Sequence, residues 1–195
     1  MKNSQLANVT SKVLQRGVAA VEFALIAIPF LLLLFGAMEF GRLLYLWNTA
    51  QEVTRNAARL AVVSNFDKDS IAEIKRKAVF RINDGFLPAS NEISTAKVVI
   101  RYLNASGTEI SNKPSDPDAN VVACLNNSPS CIRFVEVCLS TGTTCSPDQL
   151  IAFKPMIGLF SGSDPDSPDL GGIRIPLSTV RMPAESLGFD PTPPE

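Results

Sequence analysis

The stretch VAAVEFALIAIPFLLLLFGAM, residues 18–38, decides the fold. It is apolar apart from Glu22 and matches the roughly 20 residues that a helix needs to cross a bilayer core. The preceding residues 1–17 contain Lys2, Lys12 and Arg16 and no acidic residue. Because basic flanks stay on the cytoplasmic side of a membrane segment, the pattern predicts a cytoplasmic N-terminus and an exported remainder.

An apolar segment near the N-terminus can belong to one of three kinds of leader: a cleaved secretory signal, a signal anchor or a type IV pilin-like leader. A cleaved secretory signal has a shorter apolar core and ends in a small-residue cleavage site, which the sequence after Gly36 does not supply. A signal anchor keeps its whole length, whereas a type IV pilin-like leader loses only its basic head. Cleavage after Gly17 would make Val18 the new ammonium terminus, and Glu22 could pair with it or with that of a neighbouring subunit. This pairing favours the pilin-like leader, and the alternative is a lone carboxylate that reaches the headgroups.

The apolar segment also predicts contacts between helices. Pro29 removes one backbone hydrogen bond and predicts a kink. Small side chains at helical spacing would let helices approach closely in lipid, although such residues are also common in membrane helices generally. These small residues are Ala20, Ala24, Ala27, Ala37 and Gly41.

A charged pair follows the apolar segment. Glu39 and Arg42 stand three residues apart, so they are predicted to pair on one helix face at the membrane exit. Tyr45 and Trp47 are predicted interface anchors. Binding to a partner is the alternative role for the pair.

The residues after Trp47 predict an exported α+β domain. The long helix is expected to continue to Ser64 with a buried face. A second helix is predicted over Ser70–Ile82. Ser70 and Glu73 are predicted to form a capping box at its start, and Asn83–Gly85 is predicted to end it. Its basic outer face is interpreted as solvated. Alternating patterns predict an antiparallel sheet with the strands Ala96–Leu103, Val121–Leu125, Ile132–Leu139 and Ile173–Val180. A turn is predicted after the first strand, at Asn104–Gly107. Leu150–Phe153 is either a fifth strand or a loop. Spaced aspartates in Ser111–Asn120 and Ser161–Gly172 are interpreted as solvated loops rather than a calcium site.

Four cysteines recur every seven residues, at Cys124, Cys131, Cys138 and Cys145. Their spacing does not suit structural zinc, and an exported domain favours disulfides. A Cys131–Cys138 bond is excluded if the residues between them form an extended strand, because that strand would span about 23 Å. Cys124–Cys131 with Cys138–Cys145 is preferred, and the crossed pairing Cys124–Cys138 with Cys131–Cys145 is the alternative.

Composition argues against several function classes. The chain has no histidine, which removes the commonest general base and metal ligand. The net charge of -1 gives no reason to expect a nucleic-acid partner. No catalytic constellation is visible, so we expect no enzyme activity, no cofactor and no metal.

The N-terminal segment resembles the TadE-like pseudopilins of tight-adherence (Flp-type) pilus assembly. The resemblance rests on about 45 residues: Gly17, Val21–Leu25 (VEFAL), Pro29, Leu31–Leu34, Glu39–Arg42 (EFGR) and Ala57–Arg59 (AAR). The region Ile175–Ser186 is more loosely similar to the closing strand of family members. TadF-like relatives share the N-terminal pattern, whereas TadG-like relatives are larger.

The resemblance implies a minor pilin-like subunit in the bacterial inner membrane. It implies cleavage by a prepilin peptidase after Gly17, and partners among other pilin-like subunits and the assembly machinery. The expected segments are a leader (1–17), a transmembrane helix (18–46), a periplasmic pilin-like domain (47–187) and a disordered tail (188–195). The competing hypothesis is a generic signal-anchored protein whose exported domain binds an extracytoplasmic ligand.

Overall fold

The computed structural model describes residues 4–156 and 173–189, with side chains from residue 18 onwards. The chain forms two compact units, Met1–Arg42 and Leu43–Glu195. Helix α1, Ser4–Val63, contributes residues to both. The second unit combines helices with antiparallel strands, so the α+β prediction is confirmed.

The last third of α1 supplies one wall of the core. Its apolar residues recur every three or four positions, which places them on one face of the helix. The prediction of a buried face is confirmed, because the following residues are fully buried: Leu46, Ala50, Val53, Ala57 and Ala61.

Helix α2, Lys68–Ala78, begins and ends earlier than predicted. Asp67 is the N-cap, and its Oδ1 accepts hydrogen bonds from the backbone N–H groups of Asp69 and Ser70, each at 2.9 Å. Ser70 therefore lies in the first turn instead of capping it, and the predicted capping box is wrong. The helix stops before Asn83 because Phe80 adopts a left-handed conformation, with φ of 57°.

A three-stranded antiparallel sheet packs in the core. Its strands are β1 (Val98–Leu103), β2 (Phe134–Leu139) and β5 (Val180–Pro183), in the order β1-β2-β5. A separate two-stranded ladder joins β3 (Ile151–Ala152) to β4 (Arg174–Ile175). The turn after β1 is confirmed: Asn104 Oδ1 accepts from the N–H groups of Ser106 and Thr108, and Gly107 has a positive φ.

Two strand predictions are wrong. Residues 121–125 belong to helix α3, Pro117–Leu125, because Asp116 caps it through Ala119 N–H at 2.7 Å and Pro117 suits a first helical position. The predicted strand Ile173–Val180 is divided between β4 and β5. Pro176 has no N–H and Ser178 has a φ of 49°, so the chain turns and moves from one sheet to the other.

The structure contains the disulfides Cys124–Cys131 and Cys138–Cys145, with Cα atoms 4.8 and 5.8 Å apart. This is the preferred pairing, and the crossed alternative does not occur. The first bond joins α3 to the segment before β2, and the second joins β2 to the loop that follows it.

The C-terminal residues close the end of α1. The last carbonyls of a helix have no partner within it. Here Val62 O accepts from the N–H groups of Glu185 and Leu187, both at 3.1 Å, and Val63 O accepts from Gly188 N–H at 2.9 Å. Gly188, predicted as the start of a disordered tail, is therefore held in place, while residues 190–195 lie outside the described part.

Candidate membrane-anchoring and assembly site

The apolar helix is exposed along the stretch that the sequence singles out. Among the described residues, one helical segment, Val18–Val63, is long and apolar enough to cross a membrane, and its most apolar 18-residue window has a mean hydropathy of 2.6 with none of it buried. Residues 18–38 span about 31 Å at 1.5 Å per residue, close to the thickness of a bilayer core. Exposed apolar surface of this extent requires lipid or partner helices to cover it.

Glu22 is an exposed side chain of this helix. It lies four residues, or about one turn, beyond Val18, so residues 18 and 22 share a helix face. Gly17 lies within α1, where the structure describes the backbone. In a chain that began at Val18, the terminal ammonium and the Glu22 carboxylate would lie within reach of each other.

The small residues leave the helix surface open. Ala20 and Ala24 are exposed, and no atom lies within 4 Å of a Cβ built at Gly41. A second helix could therefore approach the backbone here, as small-residue contacts in membranes require. Helix α1 continues through Pro29, which cannot donate to the carbonyl of Leu25.

An ion pair lies where the apolar run ends. Arg42 Nη1 is 3.8 Å from Glu39 Oε2, and the two side chains are 12% and 6% exposed. Charges removed from water need such pairing to offset the loss of hydration. Their function as a membrane boundary stays a prediction.

Tyr45 has a defined partner in the second unit. Its hydroxyl donates to Pro88 O at 3.0 Å, and its ring is partly exposed. The loop that contains Pro88 is therefore fixed next to the part of α1 that directly follows Arg42, where α1 enters the second unit. Trp47, the other predicted anchor, is 40% exposed.

A charged network on the sheet was not predicted from sequence. Glu136 on β2 is opposite Arg101 on β1 and Arg181 on β5 in the strand register. Its carboxylate accepts from Arg101 Nη1 and Arg181 Nη2, both at 2.7 Å, and Arg101 Nε also donates to Glu109 at 2.9 Å. The available signal was a glutamate among valines in β2, but only the register supplies its partners.

A cleft of about 820 Å³ lies between α3 and the ends of β2 and β5. Its walls include Val121, Leu125, Phe134 and Pro183. Asn120 Oδ1 accepts from Ile132 N–H at 2.9 Å and so ties the helix to the segment before β2. The cleft is mainly apolar and is a feature that a ligand-binding domain would use.

The aspartates considered for calcium have other roles or lie elsewhere. The hydrogen bond from Ala119 N–H, followed by that from the Ser115 hydroxyl, holds the pKa of Asp116 below its usual value. Within residues 4–156 and 173–189, no group of three or more potential metal-ligating side chains lies together. The aspartates of Ser161–Gly172 fall outside the described residues.

No curated protein and no solved structure gives a significant match to the chain. The model of one protein family, described as TadE-like protein, matches residues 17–59. These residues contain the exposed apolar helix, Glu22 and the Glu39–Arg42 pair. The family is structural and is associated with Tad/Flp pili, and with the single apolar N-terminal helix it indicates a membrane-anchored protein. Residues 17–59 of the chain are therefore similar to the TadE-like family.

Proposed function

We propose that this protein is a minor pilin-like subunit, or pseudopilin, that serves the assembly of a tight-adherence Flp-type pilus. The observation that carries the proposal is the family match over residues 17–59, which begins at Gly17 and includes Glu22 five residues later. The protein would have a structural function and no enzymatic one. Its partners would be other pilin-like subunits and the pilus assembly machinery.

In this proposal a prepilin peptidase removes the basic head after Gly17. The new Val18 ammonium then pairs with Glu22, so two charges near the start of a membrane helix neutralise each other. The apolar helix stays in the inner membrane, with its N-terminus cytoplasmic and the Leu43–Glu195 unit on the extracytoplasmic side. Basic residues ahead of the helix and disulfides behind it both support this orientation.

The first test is the N-terminal residue of membrane-extracted protein, produced with and without a prepilin peptidase. We expect Val18 with the peptidase and Met1 without it. Gly17→Leu should block processing. Gly41→Ala replaces another glycine of the same helix and should leave processing intact. Met1 in both samples would contradict the proposal, and intact pili in a strain lacking the gene would contradict the assembly function.

The alternative is a signal-anchored protein whose exported domain binds an extracytoplasmic ligand, and the apolar cleft between α3 and β5 favours it. In that case the N-terminus is not processed, and filling the cleft would impair function. Ala184→Trp on the cleft wall tests this, because a pseudopilin that assembles through its helix should tolerate the change.

A further inference from the structure

Three large apolar side chains project into solvent from one short loop of the second unit. Phe80 is 54% exposed, Ile82 is 92% exposed and Phe86 is 49% exposed. These residues, with those between them, are called loop 80–86. Leu87, immediately after the loop, is buried and therefore anchors the C-terminal end of the loop in the core.

The loop lies at the end of the unit where the chain joins the apolar helix. Tyr45 donates to Pro88 O at 3.0 Å, and Tyr45 is three residues after Arg42, the last residue of the first unit. The opposite end of the unit is marked by Val62, whose carbonyl accepts from Glu185. Tyr45 and Val62 are about 26 Å apart along α1 at 1.5 Å per residue. Loop 80–86 thus lies at the end of the second unit where α1 enters it.

Phe80 lies directly after the C-terminus of α2, at a position where glycine would give a more stable fold. The N–H groups of Phe80 and Arg81 donate to Lys77 O at 3.1 Å and to Arg76 O at 2.9 Å, which is the Schellman pattern that closes a helix. The residue in this position is left-handed, and Phe80 has a φ of 57°. Glycine adopts that conformation without strain, so the phenylalanine is not explained by the fold.

Basic side chains outnumber acidic ones in the segment that contains the loop, and both acids pair with bases of the same segment: Asp84 with Arg76 at 4.0 Å and Glu73 with Lys77 at 2.7 Å. Residues 73–86 contain four basic and two acidic side chains. Arg81 is exposed, and its Nε donates to Phe86 O at 2.7 Å, which places the guanidinium beside the Phe86 backbone. Apolar tips among basic side chains are the composition of segments that rest in anionic headgroups.

We propose that loop 80–86 inserts into the headgroup region of the bilayer that holds the apolar helix, with anionic phospholipid as its preferred lipid. The inference rests on the membrane anchorage of the proposed function. It adds a second membrane contact, which fixes the exported unit at the bilayer surface. The occupant is lipid because the loop lies at the end of the second unit where α1 enters it, and because residues 73–86, which include the loop, carry a net charge of +2.

The test uses the full chain in vesicles of phosphatidylethanolamine and phosphatidylglycerol, with lipids brominated on the acyl chain as quenchers. Trp47 is the single tryptophan, so Trp47→Phe gives a silent background. Phe80→Trp and Phe86→Trp are the reporters. Leu125→Trp is the matched control, because Leu125 is 78% exposed and lines the cleft with Glu185, near the Val62 end of the unit.

We expect at least twofold stronger quenching at positions 80 and 86 than at position 125, and weaker quenching when phosphatidylglycerol is left out. Equal quenching at all three positions in vesicles that carry the chain would overturn the inference and leave the anchorage standing. A chain that fails to float with the vesicles would overturn both. Cross-linking between copies through position 82, without lipid quenching, would overturn the inference in favour of a second copy.

Phe80→Gly separates the lipid contact from the fold. Because glycine suits the left-handed position, this variant should keep or raise the thermal midpoint, yet it should weaken quenching of a tryptophan at position 86. Leu125→Ser is the control and should leave that quenching unchanged. Unchanged quenching in Phe80→Gly would contradict a membrane role for Phe80.

Discussion

Glu136 Oε1 lies 2.7 Å from Arg181 Nη2, so a largely buried carboxylate on the middle strand holds the last strand of the sheet. Glu136 is 6% exposed, and its other oxygen accepts from Arg101. Glu136→Ala should lower the free energy of unfolding by about 2–3 kcal/mol, because it leaves two arginines without their shared partner. Arg181→Ala should cost about 1 kcal/mol or less, since Arg181 is half exposed. Thermal unfolding of the full chain in detergent measures both, and equal losses would contradict the central position of Glu136.

Gly188 passes close to the turn after α1. A Cβ built there would lie 2.8 Å from the backbone nitrogen of Asn65, and Gly188 has a φ of 83°. Gly188→Ala should therefore lower the free energy of unfolding by about 2 kcal/mol or more, through strain and loss of the hydrogen bond to Val63 O. Gly85→Ala is the control, because nothing lies within 4 Å of its Cβ position. Similar free energies of unfolding for the two variants in denaturant titrations would contradict this, because they would show that the backbone around Gly188 can shift to accommodate a methyl group.

Each disulfide closes a short loop. The chain-entropy relation gives about 2 kcal/mol for a loop of this length. Cys124→Ala with Cys131→Ala, and Cys138→Ala with Cys145→Ala, should each lower the free energy of unfolding by roughly that amount. The two losses should be similar, because each bond joins one buried cysteine, Cys131 or Cys138, to a partly buried one. Denaturation of each double variant measures the losses, and peptide mapping without reduction should recover both bonds from the unaltered protein; free thiols would contradict this.

Asp67 connects the stability of α2 to pH. The hydrogen bond from Ser70 N–H, followed by that from the Ser70 hydroxyl, holds the pKa of Asp67 below its usual value. A carboxyl whose folded pKa is lowered stabilises the fold above its unfolded pKa, and this contribution disappears as pH falls through the folded pKa. Asp67→Asn should keep the cap and remove this part of the acid sensitivity, whereas Asp67→Ala should lose the cap at every pH. Thermal midpoints between neutral pH and pH 2 would distinguish the two variants, and identical acid profiles for Asp67→Asn and the unaltered protein would contradict the assignment.

Glu22 is expected to act in assembly and not in folding. Its side chain is exposed in the helix, so Glu22→Gln should leave the thermal midpoint of the Leu43–Glu195 unit unchanged. It should, however, strongly reduce pilus-dependent adherence, because the Val18 ammonium loses its partner. Glu52→Gln, at another exposed position of α1, is the matched control in the adherence assay. Normal adherence with Glu22→Gln would show that the carboxylate only contacts headgroups.

Local chemistry explains which elements could be predicted from the sequence. Hydrophobic periodicity indicated α1 and its buried face, and alternation indicated β1 and β2, because side chains repeat with the period of the backbone. Periodicity gave no guidance for residues 121–125, where two valines resemble a strand and Asp116 with Pro117 starts a helix instead. The end of α2 was also missed, because a left-handed phenylalanine gives no signal in sequence.

The sequence by itself determined the apolar helix, its basic head, the Glu22 position and the number of cysteines, since each depends on residues close together in the chain. Only the tertiary structure decided which cysteines pair, which arginines flank Glu136, and that the Pro88 loop returns to Tyr45. These contacts join residues brought together by packing. Strand register and chain closure set the distances between them, and no local pattern encodes either.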